Sequence, residues 1–237
     1  MDIYLVKLIL AHFIGDFFLQ PNSWVADKEQ KKLKSPKLYL HVAVHIALIF
    51  IVLFSFNSWK IAFSIGFIHF CIDVLKSFAQ RAKTARLWFF IDQALHLISI
   101  VVIWHLFYGS TISITYLNHL NVWVIGLAGL FLTLPVAILM RVVIAKWLPP
   151  NQQNNPQSLQ NAGKYIGILE RLLIFLFVLT NHFDAVGFLL AAKSIFRFGD
   201  LKEAHDIKLT EYVLIGTLLS FGLAIVTAIF VGYLIGN

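Results

Sequence analysis

Apolar runs of about 20 residues alternate with short polar breaks along nearly the whole chain. That pattern predicts a first helix over about 3–20, stopped by Pro21 and Asn22, and a second over about 38–56. The Asn57-Ser58-Trp59 break leads into a third helix, about 60–78, and a basic turn leads into a fourth, about 87–107. Residues 108–121 contain no Lys or Arg and read as a loop. A fifth helix follows over about 122–147, with Pro135 as its expected kink. The stretch PPNQQNNPQSLQNAG reads as an exposed loop. A sixth helix begins near Lys164 and breaks at the TNHFD segment, 180–184; a short seventh covers about 186–198 and an eighth runs from Glu211 to about 235. Runs of this length predict an all-α polytopic membrane bundle of seven or eight elements. The expectation is one integral membrane domain, 1–237, in which 1–107 forms a four-helix core and 122–237 supplies supporting helices around a polar loop at 148–163.

Composition agrees. The chain is 59% hydrophobic and 13% charged, with a mean hydropathy of +0.80, against about 25% charged in soluble domains. The single Cys71 excludes an intramolecular disulfide and a thiolate metal cluster. The first apolar stretch lacks a basic leader and carries His12 and Asp16, so it reads as a retained helix, not a cleaved signal. A net charge of +7 could suggest nucleic acid. The distribution points elsewhere, because the basic residues gather on four alternate breaks. These hold Lys28 to Lys37, then Lys76 to Arg86, then Arg141, Lys146 and Lys164, then Lys193, Arg197, Lys202 and Lys208; the opposite breaks hold essentially only Lys60. The positive-inside rule then puts those four breaks in the cytoplasm and both termini outside, in a bacterial inner membrane.

The chemistry lies in one spacing used four times. His12-x3-Asp16, His41-x3-His45, His69-x3-Asp73 and Asp92-x3-His96 each put two ligand-type side chains on one helix face. The last two pairs mirror each other about a turn near residue 82 or 83, and the first two mirror each other in the same way. His-Phe-x-x-Asp recurs at 12–16 and 69–73, so helices one–two and three–four read as a diverged tandem repeat of helical hairpins. With a rise of 1.5 Å per residue, the four deeper His lie about 10–15 Å inside the helix ends, with Asp16, His41, Asp73 and Asp92 about a turn shallower.

A lone His on an apolar face is usually a hydrogen-bonded core residue, and two pairs could form an inert network. Four pairs at matched depth, each group costing about 2.5–3.5 kcal/mol to insert at a helix centre, ask for more. Imidazole with carboxylate suits a divalent metal: zinc first, then iron or manganese. A proton or ion path and a structural polar network are the competing readings. His12, His45, His69 and His96 with Asp16, Asp73, Asp92 and His41 form the candidate ligand set, in which Asp16, Asp73, Asp92 and His41 can also serve as bases.

Glu170, Arg171, Lys193 and Arg197 form a second constellation. It reads either as an ion-pair network pinning helices together or as a clamp for a phosphate or headgroup. His105, His119 and His182 fall toward the far side and read as incidental; the glycines at 126, 129, 216, 222 and 232 read as close helix packing.

HFIGDFFLQP, HVAVHIALIF, HFCIDVLK, AGKYIGILERLLIF, AAKSIFRF and EYVLIGTLLS resemble a bacterial multi-pass membrane family, domain-of-unknown-function family 3307. The resemblance covers nearly the whole chain, implies a helical membrane fold and assigns no activity. In spacing alone the His-x3-Asp pairs are also similar to predicted inner-membrane metal-dependent hydrolases.

The leading expectation is a membrane-embedded metal-dependent hydrolase acting on a lipid or amphiphile, phosphorylated by preference, at the cytoplasmic leaflet. Its partners would be membrane lipids and that substrate, with homo-oligomers compatible and nucleic acid excluded. Two other classes compete: a di-iron lipid oxidoreductase, and a transporter using the His–Asp pairs as a relay.

Overall fold

The computed structural model describes residues 2–109, 117–147, 157–195 and 204–236, which divide into two compact units, Met1–Trp123 and Val124–Asn237. The described residues are helical with no strand. Five helical stretches among them are long and apolar enough to cross a membrane: Pro36–Leu53, Trp59–Ala79, Ala82–Tyr108, Asn121–Trp147 and Glu211–Ile235. Their outward faces carry large exposed apolar side chains such as Phe63, Phe67, Ile51 and Leu106. Such faces suit contact with lipid rather than water.

In the first unit, α1 covers Ile3–Phe13, with Asp2 capping it by accepting from the Tyr4 amide at 3.1 Å. The helix then widens into a π-turn, Ile14–Phe18, marked by the Leu19 amide bonding to the Ile14 carbonyl at 3.0 Å. Pro21 cannot continue the helical hydrogen bonding, and the chain bends by 85° into α2, Asn22–Lys31, which ends in a 3-10 turn at Lys32–Lys34. The sequence predicts only a polar segment here. α2 exists because its support is tertiary: it packs on α3 (Pro36–Leu53) and α4 (Trp59–Ala79). Ser35, fully buried, donates to Asp27 and fixes the α2–α3 corner. Lys31 and Ser35 hold the Asp27 carboxyl below the usual carboxylate range.

α5 runs from Ala85 to Tyr108 and stops at Gly109, whose φ of +50° lies in the left-handed region. α3 packs on α1 and α4, and α5 packs on α4 and α1, so the four helices close a ring. One half of its interior is apolar, filled by Leu8, Ala11, Ile49, Val52, Ile61, Ala62, Ile65, Ile100, Ile103 and Trp104. The other half holds the polar site.

α6, Leu117–Phe131, begins in the first unit and continues into the second. It starts earlier than predicted, and the single fifth helix is two: a break at Leu132–Thr133 separates it from α7, Leu134–Ile144, with Pro135 in the first turn of α7. α8 (Gln157–Leu179) packs chiefly on α10 (Ala204–Ile235), with α7 against both and α9 (Phe183–Ile195) against α8. Arg171 explains how a membrane helix tolerates the break. Its guanidinium donates to the Leu132 carbonyl at 2.6 Å, the Thr133 carbonyl at 3.2 Å and Ser220 at 3.2 Å. Carbonyls freed at the break are thereby satisfied.

Candidate metal centre

All eight His and Asp side chains singled out by their spacing converge in the polar half of the four-helix ring. His12, His41, His45, His69, Asp73, Asp92 and His96 are buried, and the side chain of Asp16 is only 9% exposed. They come in i,i+4 pairs: His12 from the end of α1 with Asp16 from the π-turn that follows it, His41 and His45 from α3, His69 and Asp73 from α4, Asp92 and His96 from α5.

The arrangement is not a symmetric pair of layers. Asp16 is its centre, and the π-turn is what puts it there. Its Oδ1 lies 3.0 Å from His45 Nε2, 3.3 Å from His41 Nε2 and 3.7 Å from His69 Nε2, and its Oδ2 lies 3.9 Å from His12 Nε2. Gln93 donates to Asp16 at 3.0 Å and reaches Asp92 at 3.3 Å. Asp73, at the corresponding place on the regular α4, meets only His41 among the histidines, at 3.8 Å. Gly15 makes the approach of α1 to α3 close enough: a Cβ there would lie 2.4 Å from His45 Cε1 and 2.5 Å from its Nε2.

Three overlapping sets bring their ligand atoms within 4.8 Å of one another: His12, Asp16, His45 and His69; His41, His69 and Asp73; and Asp16, Asp92 and His96. The donor chemistry of the first set fits a small divalent ion. A tetrahedral zinc with bonds near 2.0 Å separates its ligand atoms by about 3.3 Å, and the Asp16–His distances straddle that value.

The proton inventory points the same way. His41 Nε2 and His69 Nε2 are 3.1 Å apart, so at most one carries hydrogen in the neutral pair and the other directs a lone pair at it. His96 donates through Nδ1 to the Asp92 carbonyl at 2.9 Å, which leaves Nε2 as a bare lone pair without a hydrogen-bond partner. That hydrogen bond is the usual way a protein orients a metal-binding imidazole. Both ring nitrogens of His12, one of which carries the proton, and Asp92 Oδ1 are likewise buried without a hydrogen-bond partner among the described residues. Converging lone pairs without protons are costly in a low dielectric, and a cation between them removes the cost.

Two lysines enter the site that the sequence reading assigned only to basic loops. Lys28, buried on α2, donates to Asp73 Oδ2 at 2.7 Å, and Lys76 on α4 donates to Asp92 Oδ2 at 2.8 Å. For Lys76 a signal exists in its position inside an apolar helix, three residues after Asp73; for Lys28 and Gln93 the sequence carries none.

The described members of the second constellation are engaged in contacts of their own. Arg171 is buried and committed to the break between α6 and α7. Lys193 pairs with Glu170 at 2.5 Å and lies over the Phe221 ring, in keeping with an ion pair pinning α8 to α9. Arg197 lies outside the described residues.

The family model described as protein of unknown function (DUF3307) matches residues 4–125, which include every residue of the His/Asp centre. No curated protein and no solved structure matches the chain. The match covers more than half of the 237 residues, and the chain belongs to that family.

Proposed function

We propose that the chain is a membrane-embedded, metal-dependent hydrolase whose site opens at the cytoplasmic leaflet of a bacterial inner membrane. The observation that carries this reading is the set His12, Asp16, His45 and His69: three buried imidazoles and one partly buried carboxylate from three helices, with ligand atoms within 4.8 Å of one another. These residues would hold one divalent ion, zinc in preference to iron or manganese. The ion supplies a Lewis acid that activates water and polarises a phosphoryl or acyl oxygen. His41 stands against the set, its Nε2 3.3 Å from Asp16 Oδ1 and 3.1 Å from His69 Nε2, and is suited to take the proton. Gln93 fixes the orientation of Asp16.

Access is best supported from the side of Asp16, Gln93 and Lys76, where burial is incomplete; the Lys76 side chain is 25% exposed. A substrate oxygen entering there meets an ammonium, which favours a phosphate or carboxylate carried on a lipid or amphiphile. The basic breaks on the same side as the site support its cytoplasmic orientation, with both termini outside.

The polar contacts also run on from Lys28 through Asp73, His41, Asp16, Gln93 and Asp92 to Lys76, as a proton relay would. That chain crosses the bundle within one layer, and the apolar half of the ring closes it off from the other face. A transmembrane path is therefore the weaker reading.

The test is elemental analysis of detergent-purified protein, wild type beside Asp16→Asn/His45→Ala. One equivalent of zinc in the wild type, lost in the double variant, supports the metal centre. Release of phosphate or fatty acid from anionic lipids, at least a hundredfold slower in the variant, supports the hydrolase. A wild type that takes up no divalent metal after incubation with excess ends the reading. Iron in the same site would move the chemistry to oxidation.

A further inference from the structure

The corner between α2 and α3 combines positive charge with apolar surface, and the metal centre uses neither. The chain leaves α2 through Lys32, whose φ of +52° and ψ of −126° are adopted freely by glycine and only under strain by lysine. The turn that follows buries Ser35 completely and leaves Leu33 and Lys34 exposed. Of the basic residues here, Lys28 is committed to Asp73, and Lys31 to Asp27 at 2.5 Å. Lys32 and Lys34 have no carboxylate in ion-pair contact among the described residues. Glu29, the remaining acidic side chain of α2, accepts from Gln80 at 2.7 Å.

What lies beneath Lys32 is aromatic. Its Nζ sits over the Phe78 ring, 4.6 Å from the centroid. Tyr39 donates its hydroxyl to the Leu33 carbonyl at 3.0 Å and brings its ring to 5.7 Å from that of Phe70. Phe63, Phe67, Phe70 and Phe78 follow one another along α4 at steps of four, three and eight, so they share one helix face. Phe63, Phe67 and Phe78 are exposed, as are Leu33 and Tyr39 beside them. An aromatic track about 22 Å long therefore runs down a helix able to cross a membrane and ends under an ammonium. One leaflet of a hydrocarbon core is about 15 Å deep, so the track is long enough for a whole acyl chain.

We infer that this face binds one anionic phospholipid, its phosphate held by Lys32 and Lys34 and one acyl chain laid along the aromatic face of α4. The inference needs the chain to span a membrane and is independent of the metal centre. An anionic headgroup neutralises the two ammoniums, which a zwitterionic headgroup of no net charge does not. The Phe78 ring attracts the Lys32 ammonium and holds it at the level where headgroups lie. A free phosphate would meet the ammoniums and leave the apolar track bare, so the lipid is the occupant that uses both halves.

Native mass spectrometry of the full-length protein in detergent, titrated with phosphatidylglycerol or with phosphatidylcholine of identical acyl chains, tests this. The wild type is expected to bind the first phosphatidylglycerol at least tenfold more tightly than phosphatidylcholine. In Lys32→Gln/Lys34→Gln the ratio should fall below threefold. Arg81→Gln/Lys83→Gln, which removes the same charge from the next basic turn, should keep the wild-type ratio. Should the glutamine pair fail to fold, Lys32→Gly/Lys34→Gln replaces it, because glycine relieves the backbone at 32 while removing the amine. Equal binding of the two lipids by the wild type overturns the inference. So does a preference that survives in the lysine variants, or one that the Arg81/Lys83 variant loses equally, since the charge would then act without this site. Displacement of phosphatidylglycerol by an equal concentration of inorganic phosphate would make the corner a simple anion site. A dimer in the same spectra that the lysine variant dissociates, with no lipid preference, would assign the face to a second copy of the chain.

Discussion

Gly15 shows how far one missing methyl reaches. Its backbone lies against the His45 ring so closely that a Cβ would stand 2.4–2.9 Å from three ring atoms. Gly15→Ala must therefore push His45, held in turn against Asp16 and His69 with ring centroids 3.9 Å apart in the latter pair. A displacement of this kind is expected to weaken cobalt binding at least tenfold and alter its spectrum. Gly66 is the control, since a Cβ there would stand 2.5 Å from Ile46 Cγ1, an aliphatic side chain, and would meet no His or Asp side chain within 4 Å among its three nearest atoms. Gly66→Ala should cost about 1–3 kcal/mol of stability and leave the cobalt spectrum as it is. Equal metal affinity in Gly15→Ala and wild type would show that His45 is not a ligand. The eight ligand-type residues were legible because i,i+4 spacing in an apolar helix has one physical meaning, a shared face. Gly15 was not, because its role depends on which helix approaches it.

The elements divide by what sustains them. α3, α4 and α5 were readable because long apolar runs need only a lipid surround. α2 was hidden: ten residues with Asp27, Lys28, Glu29 and Lys31 show no core-facing stripe, and its stability comes from Ser35, Gln80 and the buried ion pair to Asp73. Ser35→Ala removes the hydrogen bond at the corner, worth about 1 kcal/mol, and is expected to raise amide exchange across residues 22–34 about fivefold while that of α4 stays unchanged. Unaltered exchange would mean that α2 is held by packing alone. The π-turn was equally invisible, since one extra residue within a helical turn leaves no compositional mark, yet it separates Asp16 from its repeat counterpart Asp73. At the α6–α7 break the sequence pointed to Pro135, while Arg171 does the work of satisfying the exposed carbonyls. Arg171→Met leaves those carbonyls without donors and should cost about 2–4 kcal/mol in thermal or denaturant unfolding. Metal content should be unaffected, because the centre lies wholly within the first unit; loss of metal with the fold intact would show that Arg171 supports the centre.

At the scale of the molecule, the first unit is polar in one half of its interior and apolar in the other, and this asymmetry is its functional statement. A relay across the membrane needs titratable groups along the whole bundle, whereas here Leu8, Ile49, Ile61, Ile65, Ile100 and Trp104 fill the space beyond the four deeper histidines. A hydrolytic site needs the opposite arrangement: one wet mouth, one dry wall, and a metal between them. Sidedness follows from the same division. In sealed vesicles with the protein in known orientation, a membrane-impermeant chelator should strip the metal only from the face that carries Lys83. Orientation is read by replacing Cys71 with serine and labelling Lys83→Cys and Lys60→Cys with an impermeant maleimide, which should react from opposite sides. If the chelator acts equally from both faces, the apolar half is not a seal and the relay reading regains its ground. If it acts only from the Lys60 face, the topology is inverted and the substrate must be sought in the other leaflet. Exchange confined to the Lys83 face leaves a one-sided centre, at headgroup depth, that a lipid anion can reach without leaving its monolayer.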